Sequence, residues 1–274
     1  GSGALAQAVA VRGPQIIKVG STRDIRRLRH DGTIEINARG GTVMPGFNDA
    51  HLHFMSGGLS LSKVELLDAT TLDRIGEKIR AFAAANPGAP WVQGRGWYYE
   101  PFPGGLPHRA LLDELVPDRP AYMVAYDGHT AWANSRALRL AGVTRRTKDP
   151  KNGVVVRDAR TGEPTGVLKE AAMSLVAKLL PEPSRVERLG ALRTAMREAH
   201  RLGVTSVQNA HGSADEFALY GELRGSDELK VRVYSALSVG PGYDERTAED
   251  DPEVIRQRYP DDPLFKTGAI KMLV

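Results

Sequence analysis

Two histidines one residue apart, His51 and His53, close the apolar run VMPGFNDAHLHF. On an extended strand, residues i and i+2 project from one face, so both imidazoles would aim at one spot. Neutral imidazole is a good ligand for Zn²⁺ and similar divalent ions, and two of them supply half of a tetrahedral shell. Asn48 and Asp49 precede the pair, and a carboxylate there would orient an imidazole by accepting its second ring N–H. A metal site needs at least one more ligand. The pair alone therefore leaves two readings open, half a metal site or two ordinary histidines at a strand end.

The elements around the pair have a definite order. Short β-branched runs at 8–11, 16–19 and 33–36, separated by RGP and HDG turn signals, predict a small antiparallel β unit. Residues 41–47 lead into His51. TTLDRIGEKIRAFAAANPG carries Leu72, Ile75, Ile79 and Phe82 at helical spacing, with Thr70 and Asp73 as a start signal and NPG as a stop. Residues 87–168 are rich in Pro, Gly and aromatics and read as an inserted, irregular subdomain with short strands at 121–126 and 153–157. Regular alternation begins at Ser184. A capping box of Ser184 and Glu187 starts a helix with Val186, Leu189, Leu192, Met196 and Ala199 on one face, and Gly203 ends it. A strand at 204–210, a helix from Ser213 to Leu223, a strand at 230–239, a weak helix at 252–258 and a strand at 268–274 follow. This alternation predicts an α/β parallel sheet or barrel. With the His51 strand it makes four parallel strands, where a barrel of eight needs four more. The chain reads as half of something, with unpaired edges for a second piece to cover.

Composition narrows the function. The chain of 274 residues is 41% hydrophobic and 26% charged, values of a globular protein. Its 37 basic residues nearly balance 33 acidic ones, and the densest basic run, RDIRRLRH at 23–30, is too short for a nucleic-acid footprint. Without cysteine, disulfides, thiolate metal sites and a cysteine nucleophile are excluded. No apolar run has the length of a membrane span. Gly1-Ser2-Gly3 reads as an appended expression scar, so the compartment is not fixed.

VMPGFNDAHLHF resembles the metal-binding signature of the amidohydrolase superfamily. WVQGRGWYYE, the stretch LLDELVPDRPAYMVAYDGHTAWANSRALRLAGV, PTGVLKEAAM and GVTSVQNA resemble its YtcJ-like branch. The resemblance spans essentially the whole chain. It implies a metal-dependent hydrolase on a distorted (β/α)₈ TIM barrel, of which this chain holds the first four strands. Residues 1–45 would supply part of a small β-sandwich, residues 46–86 and 169–274 the half-barrel, and 87–168 the insert. It also implies that His51 and His53 bind a divalent metal, most simply Zn²⁺, as one or two ions. Lys271, on the fourth strand, would be a further ligand, carboxylated where it bridges two metals; a strand-end lysine in a salt bridge is its ordinary alternative. The remaining histidine ligands and the aspartate general base would lie on strands outside this chain, so the site needs a second polypeptide or the missing C-terminal half.

Other residues are candidate substrate contacts, each with an ordinary alternative. His129 in DGHTAWAN would reach substrate or buttress the insert. His211 follows its strand at the end where barrel active sites gather, or serves the turn before Ser213. Trp97, in a cluster with Trp91, Tyr98, Tyr99 and Phe102, would line a pocket or fill the core of the insert. Glu170 reads first as a helix-start carboxylate. The implied reaction is hydrolysis of a C–N bond in a small-molecule amide, N-acyl or cyclic amide substrate by metal-activated water. The alternative is a non-catalytic half-barrel that acts as a binding or regulatory subunit, or self-associates around its metal site.

Overall fold

The computed structural model describes residues 5–240 and 251–272. The chain divides into two compact units, Gly1–Pro45 and Gly46–Val274. In the first, strands β1 (Ala8–Arg12) and β2 (Gln15–Gly20) form an antiparallel hairpin. It turns at Gly13, whose φ of 54° favours glycine. Helix α1 (Thr22–Arg26) follows, with the Ser21 hydroxyl accepting from the Asp24 amide at 3.1 Å. The strand expected at 33–36 does not form. Ile34 and Ile36 are 85% and 88% exposed, because alternation specifies a strand only where a sheet edge and a buried face receive it.

The second unit runs β3 (Phe47–Leu52), α2 (Phe54–Ser60), β4 (Val64–Glu65), α3 (Leu72–Ala85), β5 (Val92–Trp97), α4 (Arg109–Leu115), β6 (Ala121–Ala125), β7 (Thr130–Ala133), α5 (Ser135–Leu140), β8 (Gly153–Arg157), β9 (Pro164–Glu170), α6 (Ser174–Ala177) and α7 (Arg185–Arg201). Then come β10 (Val204–Gly212), α8 (Ala214–Gly225), β11 (Arg232–Val239), α9 (Pro252–Arg258) and β12 (Phe265–Met272). Two sheets result. One is parallel throughout, in the order β3-β10-β11-β12. The other has the order β4-β5-β6-β7-β9-β8 and mixes parallel with antiparallel pairs.

β10, β11 and β12 are the three strands expected from the alternation after Ser184, and β3 is the strand of His51; residues 273 and 274 of the last predicted strand lie outside the described residues. Burial alternates along β10 and β11: Val207, Asn209, Val233 and Ser235 are buried while Gln208, Arg232 and Tyr234 are exposed. The buried side meets α7 through Leu192 and Met196 and α8 through Phe217, Tyr220 and Leu223, in one core. The capping box at the start of α7 is present, with Ser184 and Glu187 exchanging both bonds. Val186, expected on the inner face, is 77% exposed, since the first turn of α7 projects past the sheet's apolar cover. Gly58 lets α2 lie against α7: a Cβ there would collide with the Ala191 carbonyl.

The insert is more regular than its composition suggests. Its sheet begins at β4, ahead of residue 87, and ends at Glu170. Helix α3, assigned to the half-barrel from sequence, packs completely buried Ile75 and Ile79 into the core of this second sheet. Its cap is Thr71 rather than Thr70: the Thr71 hydroxyl accepts from Arg74 N at 3.3 Å. Gly94 and Gly96 lie inside β5 and Gly166 inside β9, each packed too closely for a Cβ, which is why these strands read as irregular. Among the described residues no helix is long and apolar enough to cross a membrane.

Candidate metal centre

The candidate residues gather at the carboxyl ends of the parallel strands, where open and closed α/β sheets bind ligands. His51 is the next-to-last residue of β3, His211 of β10 and Lys271 of β12. His53 lies just past β3, as the residue that starts α2 (φ −111°, ψ 87°). The two histidines thus do not share one regular strand, as the spacing had suggested; the chain turns into α2 between them. Their ring centroids are nevertheless 5.9 Å apart, and the His53 and His211 rings are 5.8 Å apart. Two imidazoles on one zinc, each with N at about 2.0–2.1 Å, have centroids roughly 5–6 Å apart. The three rings are exposed, so their nitrogens are open to an ion. Ring spacing and donor chemistry therefore fit a divalent metal at His51 and His53, with His211 beside them. Among the described residues no three His, Asp or Glu side chains close into a complete ligand set.

Lys271 pairs in register with Ser238. Ser238 alternates with Leu237 and Val239, which face the helices, so Ser238 and Lys271 project from the opposite side of the sheet. The Ser238 hydroxyl is buried without a hydrogen-bond partner among the described residues. Asp49 does not orient an imidazole: its Oδ1 accepts from the backbone N–H of His51 at 3.1 Å. That bond fixes the backbone at the first histidine and leaves its ring unconstrained.

The other sequence candidates fall in the insert. His129 is exposed and its Nδ1 lies 3.3 Å from Glu170. Glu170 caps no helix with its side chain, contrary to the reading as a helix-start carboxylate, because its backbone sits at φ 50°, ψ −128° and turns the carboxylate toward His129. Trp97 is completely buried, donates from Nε1 to the Met123 carbonyl at 2.9 Å and packs edge-on against Phe102. It offers no surface to a ligand, which corrects the pocket reading in favour of the core one. Tyr98 and Tyr126 stack at 4.7 Å.

Sequence reasoning missed Asn209. This residue is completely buried and links β10 to β11 and to the start of α2. Its Oδ1 accepts from Phe54 N at 2.9 Å, and its two Nδ2 hydrogens are shared among three acceptors within reach, Ser235 Oγ at 2.8 Å, Glu216 Oε1 at 3.0 Å and His211 O at 3.2 Å. Glu216 is buried too and accepts from the Tyr220 hydroxyl at 2.5 Å. Burial pushes its carboxyl up to about 7, against the opposing pull of the bonds from Tyr220 and Asn209. A polar residue in phase with Val207 was the available signal.

A parallel strand-and-helix sheet with histidines at its carboxyl end defines a class that the comparisons identify. Residues 35–274 match the Amidohydrolase family, and the chain belongs to that family. Within it the chain falls in the YtcJ-like branch: it is 32% identical to a putative amidohydrolase YtcJ of Bacillus subtilis over 77% of this chain and 38% of that one. It is 39% identical to Protein LONG AFTER FAR-RED 3 of Arabidopsis thaliana over 74% of this chain and 34% of that protein. With an N-substituted formamide deformylase of Arthrobacter pascens it shares 28% identity over 98% of this chain and 51% of the relative. A metal-dependent hydrolase of Pyrococcus horikoshii superposes with a TM-score of 0.60 at 22% identity, over 91% of this chain and 45% of its own, a likeness of fold. The chain thus spans about a third to a half of the length of each of these relatives.

Proposed function

We propose that this chain is the N-terminal half of a metal-dependent hydrolase of C–N bonds, its four parallel strands being half of a (β/α)₈ barrel. The observation that carries this reading is the convergence of the His51, His53 and His211 rings at the carboxyl end of a sheet clad by helices on one side. The exposed apolar residues of the β1–β2 hairpin, Val11, Ile16 and Val19, support its role as part of a sandwich finished by later sequence.

His51 and His53 hold the ion, with Lys271 as the next ligand. A divalent ion there, most simply zinc, supplies Lewis acidity toward a scissile carbonyl and makes water a competent nucleophile near neutral pH. His211, whose ring stands beside that of His53, is the contact for a substrate oxygen or nitrogen in this reading. His129 is the contact that the insert contributes. The general base belongs to the other half, whether supplied by the same polypeptide or a second one. The substrate class is an amide, N-acyl or cyclic amide, and the N-substituted formamide in one relative's name makes that compound a rational first probe.

The test is amine release from N-substituted formamides and N-acyl amines by the zinc-loaded chain joined by its C-terminal half. Activity is expected with both halves and lost in His51→Ala/His53→Ala. Full activity in that double variant would overturn the proposal.

A further inference from the structure

We infer that Asn209 is a positioning residue for the metal centre, holding the His53 and His211 segments at a fixed separation through one buried amide. The inference rests on the proposed metal reading and adds to it a residue that touches neither metal nor substrate.

The geometry is specific. Phe54 immediately follows His53, and its N–H donates to Asn209 Oδ1 at 2.9 Å. The His211 carbonyl accepts from Asn209 Nδ2 at 3.2 Å. One side chain thus reaches the backbone beside two of the three clustered histidines, one at the start of α2 and one in β10. Because Phe54 can only donate, it fixes which end of the Asn209 amide faces β3. The amide is itself held by Ser235 Oγ at 2.8 Å on β11 and by Glu216 Oε1 at 3.0 Å on α8. Behind these, Tyr220 bonds Glu216 at 2.5 Å.

Asn209, Ser235 and Tyr220 are completely buried, and Glu216 is nearly so. A network this enclosed is rigid when fully satisfied and costly when broken. Gly212, the residue after His211, leaves no slack: a Cβ there would meet Ser235 Oγ and Phe217 Cε1, each at 2.5 Å. Such a lattice exceeds what joining two strands requires, since β3 and β10 already pair by their backbones. What the amide adds is the placement of the two strand ends beyond that pairing, where the histidines stand. Outer partners of this kind set metal affinity through ligand orientation.

The test is Co²⁺ titration of the full chain, read by its ligand-field absorption, with thermal melting alongside to establish folding. Wild type should bind Co²⁺ saturably, and His51→Ala/His53→Ala should lose that binding. Asn209→Leu should weaken binding by about tenfold or more and alter the spectrum. Ser235→Ala, which keeps the amide and removes one anchor, should weaken it by about threefold. Glu216→Gln retains an acceptor for Asn209 and should stay within about twofold of wild type. Wild-type Co²⁺ affinity and spectrum in folded Asn209→Leu would overturn the inference. If Asn209→Leu does not fold, the same result in Ser235→Ala overturns it. Absence of saturable Co²⁺ binding in wild type, or its survival in the double histidine variant, would instead sink the metal reading on which the inference rests.

Discussion

The two sheets of the second unit bury their faces differently, and the difference separates scaffold from site. The six-stranded sheet has a core on each face. Met123 and Trp132 join α3 and α4 on one side, while Tyr122 and Ala131 join α5 and α6 on the other. The four-stranded sheet has one such core, against α7 and α8. Its other side presents Gln208, Arg232, Tyr234 and Lys266. A parallel sheet is normally covered on both faces. The less covered sheet carries the clustered histidines and Lys271, and the fully covered one carries the buried tryptophans Trp97 and Trp132.

This contrast can be broken most forcefully in the fully covered sheet. Trp97→Ala should cost about 3–5 kcal/mol in urea unfolding, with metal affinity per folded molecule unchanged. A joint loss of stability and metal binding would mean that the two sheets are not separable in function. In the other sheet the largest stability effect is electrostatic. Glu216 titrates at about 7 in the folded chain, above its ordinary value, so folding favours its protonated form. Its contribution is fully present below about pH 4.5 and is lost as pH rises through about 7, on the order of 3 kcal/mol. Urea midpoints measured across that window should fall with pH by this group's share, and Glu216→Gln should flatten that part of the slope. Smaller again is the helix start, where Ser184→Ala should cost about 1 kcal/mol by thermal melting without touching the site. Smallest is the pair itself: His51→Ala/His53→Ala should move the metal-free stability by less than about 0.5 kcal/mol, because both rings are exposed.

Legibility in the sequence followed the same division. The four parallel strands and the capped helix α7 were readable because their burial has a regular period and their ends carry capping residues. His51 and His53 were readable from spacing, although the strand ends between them rather than beyond them. The six-stranded sheet was not legible as a sheet, because strands buried on both faces, such as 130–133, carry no alternation. Ile34 and Ile36 misled in the opposite way, with alternation but no sheet to join. Asn209 was invisible as a functional residue because its importance lies in partners at positions 54, 211, 216 and 235, distances that no local pattern encodes.

The central claim is that His51 and His53 together hold a divalent metal, and zinc-edge X-ray absorption of the zinc-loaded chain tests it most directly. The account predicts scattering from two imidazoles with nitrogen at about 2.0–2.1 Å, absent from His51→Ala/His53→Ala. Zinc without imidazole scattering, or an identical spectrum from the double variant, would contradict it.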